Sequence, residues 1–180
     1  MALKLHASFS PVFLVAATAL LLFVLPSASA IRGAGAHSGN TNLCAHADYQ
    51  ALCKAVVKKE VHPAAATEKA IQAALKQANS AKSLAAKLEA AKKGAARGAF
   101  DTCNDNFDDA ISSLQTSLTS LKAKDKGTLS TNLSAVISDT VTCGDGLSEG
   151  PAGFGADLVK ANQLLRQHAS NCLALAEQVH

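Results

Sequence analysis

Tryptophan is absent from this chain, and tyrosine occurs once, at Tyr49. Three of the six phenylalanines fall within the first 30 residues. Too few rings remain for a platform on which nucleic-acid bases could stack. An excess of positive charge is missing as well. With Lys4 set aside, 16 Lys and Arg face 14 Asp and Glu, a near-neutral balance that argues against nucleic acid as a partner. Catalytic and metal signatures are also lacking. The chain has no His-Glu-x-x-His, no Gly-x-Ser-x-Gly, no phosphate loop and no paired Glu-x-x-His set of the kind that loads a helical bundle with iron. No cofactor is implied, and the chain reads as a binder and not an enzyme.

What is present begins with an export signal over residues 1–30. Lys4 supplies a positive start, Val12 to Leu25 is an almost unbroken apolar run, and Pro26 precedes the small residues Ser27-Ala28-Ser29-Ala30. That run is short for a membrane span, which needs roughly 20 residues. Cleavage after Ala30 leaves a mature chain that starts at Ile31, the size of one domain. Residues 31–40 are glycine-rich and polar, a flexible leader, and residues 41–180 form the folded domain. No second apolar run of spanning length follows, so the expectation is a secreted, soluble, extracellular protein.

The remaining sequence reads as helices. Thr41 to about Val61 fits one or two short helices, closed by Pro63. Residues 64–93 are rich in Ala, Lys, Gln and Leu, all strong helix formers. Ile71, Leu75, Leu84 and Leu88 share one face with Ala78 and Ala81, while Lys69, Lys76, Lys87 and Lys92 read as a solvated face. Gly94 and Gly98 are expected to break that helix. In the next one, Phe100, Cys103, Phe107, Ile111, Leu114, Leu118 and Leu121 recur at spacings of three and four, a continuous apolar stripe. Asp101, Asp105, Asp108 and Asp109 crowd its first half and Lys122, Lys124 and Lys126 its end, as the helix dipole favours. Gly127 punctuates, Thr128 or Ser130 caps a fourth helix carrying Leu129, Leu133, Val136 and Ile137, and the glycine-rich stretch from Gly144 to Gly155 is a loop. A last helix over about 156–179 places Leu158, Ala161, Leu165, His168, Cys172, Leu175 and Val179 on a heptad-like seam. No strand alternation appears. The fold class is all-α: four long antiparallel helices with a short N-terminal helical appendage.

All five cysteines lie in the exported part, where disulfides persist. Proximity favours Cys44–Cys53, which would close a small helical hairpin. Cys103, Cys143 and Cys172 then compete for a second bridge, and composition does not choose among them. His168 and Cys172 lie four apart on the last stripe, where a packed histidine and a structural thiol fit better than a catalytic pair, which needs a third orienting group and a cleft. Asn132-Leu133-Ser134 matches the N-glycosylation pattern, within an expected helix.

The segment Cys44-Ala-His-Ala-Asp-Tyr-Gln-Ala-Leu-Cys53 resembles the first cysteine pair of the plant invertase and pectin methylesterase inhibitor family, where it staples an N-terminal hairpin. Ala99 to Leu114, around Cys103, looks like that family's third-cysteine motif. Leu129 to Leu147, around Cys143, is similar to its fourth. The resemblance implies a four-helix bundle with a stapled N-terminal hairpin, bridges Cys44–Cys53 and Cys103–Cys143, and a free Cys172. It also implies a secreted inhibitor of the cell wall, with either pectin methylesterase or acid invertase as partner. Invertase inhibitors of the family insert a Pro-Lys-Phe tripeptide from the loop between the third and fourth cysteines. The corresponding stretch here, Leu121 to Thr128, has none, which favours pectin methylesterase. Carried over by offset, the family's contact positions fall on Asp105 and Asp109 beside Cys103 and on Thr142 and Asp145 beside Cys143. A further acidic position is Ser112 here, a departure from the pattern. The plain alternative for Asp105 and Asp109 is the helix-dipole role. An alternative of another class is a secreted helical carrier of a small apolar ligand, which would need a hollow bundle.

Overall fold

A computed structural model describes residues 42–180. The export signal and the leader expected over residues 1–30 and 31–40 lie outside the described residues. Five helices follow: α1 (Gln50–Val57), α2 (Pro63–Ala90), α3 (Ala95–Ala123), α4 (Lys126–Ser148) and α5 (Ala156–Ala176). Among the described residues there is no strand. α2 packs against α3 and α5, and α4 packs against the same two, so the four long helices close a ring around one core. Short connections make consecutive helices antiparallel. α1 lies on α2 and α5 at the side.

The core is built from small residues on one helix and large ones on the others. On α2 the fully or nearly fully buried positions are Ala66, Thr67, Ala70, Ile71, Ala74, Ala78, Ala81 and Ala85, while Leu75, Leu84 and Leu88 are only partly buried against the core. The contact face is therefore the alanine stripe, rotated from the expected leucine face. Alanine lets neighbouring axes approach toward the short end of the usual 8–10 Å range. Phe100, Phe107 and Leu114 of α3, Leu129, Leu133 and Val136 of α4, and Leu158, Leu165 and Leu175 of α5 fill the space opposite. Each large side chain so buried is worth about 1.5–3 kcal/mol.

Helix boundaries depart from expectation at the glycines. Gly94, at φ 63°, stands just before α3, and Gly98 continues the helix instead of breaking it. The α3–α4 turn is shorter than expected. Lys124 is left-handed at φ 58°, its N–H donates to the Leu121 carbonyl at 3.2 Å, and that of Asp125 donates to Ser120 at 2.9 Å, the double closure that ends many helices. Asp125 itself then caps α4, accepting the Thr128 N–H at 3.0 Å, in place of the expected Thr128 or Ser130. Hydrogen bonding from Thr128, by its side chain first and then by this N–H, holds the Asp125 carboxyl below its ordinary pKa. Gly127 lies in the first turn of α4, and α4 runs on through Gly144 and Gly146 to Ser148. Gly144 faces α5, where an added Cβ would stand 3.4 Å from the Asn162 amide nitrogen. Only residues 149–155 form the loop.

The stapled N-terminal hairpin has one helical limb, α1, and one limb of turns from residue 43 to 49. Cys44–Cys53 joins the two, with 5.8 Å between the Cα atoms. Seven residues are too few to nucleate a helix unaided, and their backbone is taken up by α5 instead. The Asn171 amide accepts from Tyr49 N–H at 3.1 Å and donates to the Tyr49 carbonyl at 3.0 Å. Gln178 donates to the Leu43 carbonyl at 2.8 Å, and the Ser170 hydroxyl donates to Asp48.

Candidate functional site

A second disulfide, Cys103–Cys143, ties the early part of α3 to the late part of α4, with 4.5 Å between Cα atoms. Both half-cystines are fully buried. The bridge and the tight turn at residues 124–125 thus clamp this helix pair at both ends. Cys172 is free and buried on α5, and burial pushes its thiol pKa upward, away from reactivity. His168, one turn before it, is likewise buried, which lowers its pKa. Among the described residues no group of three or more His, Cys, Asp or Glu could hold a metal ion.

Asp105 and Asp109 are exposed on the outer surface of α3, and Thr142 and Asp145 are exposed on α4, close in sequence to the two bridged cysteines. The helix-dipole account of the α3 carboxylates does not survive. α3 begins at Ala95, so Asp105 and Asp109 lie in its third and fourth turns, whereas dipole effects fade within the first. Asp108 has a different partner, since it pairs with Lys82 of α2. No described cation comes within salt-bridge distance of Asp105, Asp109 or Asp145. The Thr142 hydroxyl donates to the Ser138 carbonyl at 3.1 Å within its own helix, and its oxygen can still accept a bond from outside. By helical rotation Asp109 and Thr142 turn toward the α3–α4 seam. Asp145 projects further round α4, at the edge of the same surface.

One carboxylate of this face is not among the residues expected from the sequence. Asp139 lies one turn before Cys143 and is partly buried at the seam. Its carboxyl pKa is raised to about 6, first by burial and then by the charge of Asp109. Its Oδ2 is buried with no hydrogen-bond partner. The signal that could have found it is the i−4 spacing from a bridging cysteine, which turns a residue toward the neighbouring helix. The face therefore holds two carboxylates, Asp109 and Asp139, that repel each other, with no cation among the described residues to balance them.

Farther along the seam, Gly98 and Gly146 stand on opposite helices and leave a cleft of about 430 Å³, walled also by Thr102, Glu149, Pro151 and Phe154. Phe154 stacks on Phe100 with ring centroids 4.8 Å apart and closes the core behind it. Asn132 sits in the second turn of α4, half-buried, its amide nitrogen donating to the Thr128 carbonyl at 2.8 Å. Among the described residues no helix is long and apolar enough to cross a membrane.

The family model for plant invertase/pectin methylesterase inhibitors matches residues 40–175. No curated protein matches the chain. Among solved structures, a mutant form of a pectin methylesterase inhibitor from Arabidopsis matches with a TM-score of 0.69 at 15% identity, covering 78% of this chain and 99% of that one. A pectin methylesterase inhibitor from Arabidopsis thaliana matches with a TM-score of 0.63 at 13% identity, over 73% and 86% of the two chains. At such identities the likeness speaks for the fold, and the match along the sequence speaks for descent. Members of that family are inhibitors and not enzymes. A stapled N-terminus, a bridged α3–α4 pair and a family match that spans nearly all of the described residues agree, and the chain belongs to the plant invertase/pectin methylesterase inhibitor family.

Proposed function

We propose that this protein inhibits pectin methylesterase by covering the enzyme's substrate cleft with the α3–α4 face. The observation that carries the reading is the set of uncompensated carboxylates on that face, Asp105, Asp109, Asp139 and Asp145, held on a helix pair clamped at both ends. An enzyme cleft that binds pectin, a polyanion once its esters are removed, needs basic groups around it. An acidic surface with hydrogen-bonding groups such as Thr142 complements such a cleft and excludes the substrate without chemistry of its own. The clamp matters because a rigid face loses little entropy on docking.

The connection between α3 and α4 favours pectin methylesterase over acid invertase. Only Lys124 and Asp125 separate the two helices, both committed to capping, and no Pro-Lys-Phe is present for insertion into an invertase site. A carrier function has less support, because the alanine stripe of α2 draws its neighbours close where a carrier needs a hollow. The export signal expected over residues 1–30 supports an apoplastic location, where a pectin methylesterase would be met. The test is a titration of the mature protein against a plant pectin methylesterase and an acid invertase. Stoichiometric loss of esterase activity with invertase unaffected is the expected result. Inhibition of invertase alone would reverse the assignment.

A further inference from the structure

We propose that the groove beside the N-terminal staple is a second binding site, one for a polyuronate chain held by Lys54, Lys58 and Lys59. The groove has a volume of about 510 Å³ and is walled by these three lysines, Asn42, Val61 and Glu60 among others. Lys54 sits in the last turn of α1, where a cation also suits the helix dipole. Lys58, the C-cap of α1, shares that position, whereas Lys59 lies beyond the helix. The chain leaves α1 through Lys58 in a left-handed conformation, φ 55°, where glycine would be free of strain. A long cationic side chain is kept there, and it lines the same groove as Lys54 and Lys59.

The one acid on the wall is already committed. Glu60 Oε2 accepts from Lys69 at 2.9 Å, and its Oε1 accepts the N–H groups of Val61 and His62 at 3.0 and 3.1 Å. The bond with Lys69 leads in holding its carboxyl down at about 2. None of the three groove lysines lies within salt-bridge distance of a described carboxylate. Positive charge thus concentrates in a concavity of a chain whose overall balance is near neutral, and a concave wall focuses that field on a ligand. Val61 is half exposed at the rim and offers apolar surface to the face of a sugar ring.

Three flexible ammonium groups act as point charges and demand no fixed fork of acceptors. A chain of repeating carboxylates, offering charge at every unit, meets that requirement. The choice of uronate rests on the proposed function, since removal of methyl esters from pectin leaves such a chain. The affinity of the groove for a polyanion does not depend on it. α1 lies on α2 and α5, whereas the acidic face lies on α3 and α4, so wall polymer and enzyme would occupy different helices.

The experiment measures retention of the disulfide-intact mature protein on demethylated and fully methyl-esterified pectin, with no enzyme present. Retention on the demethylated polymer, lost in about 0.5 M salt, is expected. The triple variant Lys54→Gln/Lys58→Gln/Lys59→Gln should weaken it about tenfold, and Lys59→Gln alone about two- to threefold. A control of equal charge, Lys122→Gln/Lys124→Gln/Lys126→Gln at the α3–α4 turn, should stay within about twofold of the parent. Equal losses in the two triple variants would reduce the effect to net charge and overturn the site. Equal retention on both pectins, or tighter binding to polyglutamate than to demethylated pectin, would overturn the uronate assignment. Because esterase inhibition is read separately, an intact groove in a protein that fails to inhibit would count against the proposed function alone.

Discussion

Replacing Asp139 by Asn should stabilise the protein at pH 7 and leave it unchanged near pH 3. In the unfolded chain this carboxyl titrates near 3.8, and in the fold near 6, raised by burial and by Asp109. Below the lower value both states are protonated and the residue has no effect. Through the window between the two, the unfolded state ionises while the folded state still holds its proton, so stability falls as pH rises. Above about 6 both are charged and the penalty is constant. A shift of this size would correspond to about 3 kcal/mol if unscreened. The carboxyl is only partly buried, and water damps the effect to about 1 kcal/mol. In a bundle of this length that amounts to about 3 °C in Tm. Asparagine has the same shape and carries no charge, so the gain should appear in melts at pH 7 and vanish at pH 3. It should also shrink in an Asp109→Asn background, because the two charges share the repulsion. A gain of equal size at both pH values would refute the electrostatic reasoning, as would a loss at pH 7.

Asp109→Asn should weaken binding to pectin methylesterase, by about 2–5 kcal/mol if its partner is buried in the complex, with Tm unchanged or slightly raised. Intact inhibition with a lowered Tm would remove Asp109 from the face. Asn171→Ala should lower stability by about 2 kcal/mol, because it strips both bonds that hold Tyr49 to α5. A melt that matches the parent would show that the Cys44–Cys53 bridge holds the staple unaided. Non-reducing peptide maps should recover Cys44–Cys53 and Cys103–Cys143, with Cys172 alkylated only after denaturation. A Cys143–Cys172 peptide would contradict the helix order.

Much of the fold was legible because periodicity is set by burial. The stripes of α3 and α5 named Phe100, Phe107, Leu114, Leu158, Leu165 and Leu175, all fully buried. On α2 the large leucines misled, since the closest packing falls to alanines that carry little hydrophobic weight. Helix ends were the weaker part. Glycine lowers helix propensity by about 1 kcal/mol, and this marked Gly98, Gly127, Gly144 and Gly146 as breaks. Packing overrides so small a preference, and Gly144 occupies the place where α5 comes near. The true stop at Lys124 was hidden because lysine seldom adopts that conformation. The candidate face was half legible. Offsets from the cysteines led to Asp105, Asp109, Thr142 and Asp145. The i−4 spacing from Cys143 reaches Asp139 too, but its raised pKa comes from burial and from Asp109 on the neighbouring helix, which no single-segment pattern displays.

The turn at residues 124–125 lies within an exposed run, Lys122 to Thr128, that contains three lysines, a natural target for trypsin-like proteases. Cys103–Cys143 closes the backbone around that turn into a covalent ring. A single cut after Lys124 would therefore open the ring without separating α3 from α4. The nicked inhibitor would run as one band until reduced and as two fragments afterwards, with the carboxylates of both helices still mounted side by side. Inactivation by proteolysis then requires a second event, either a further cut inside a packed helix or reduction of a buried disulfide.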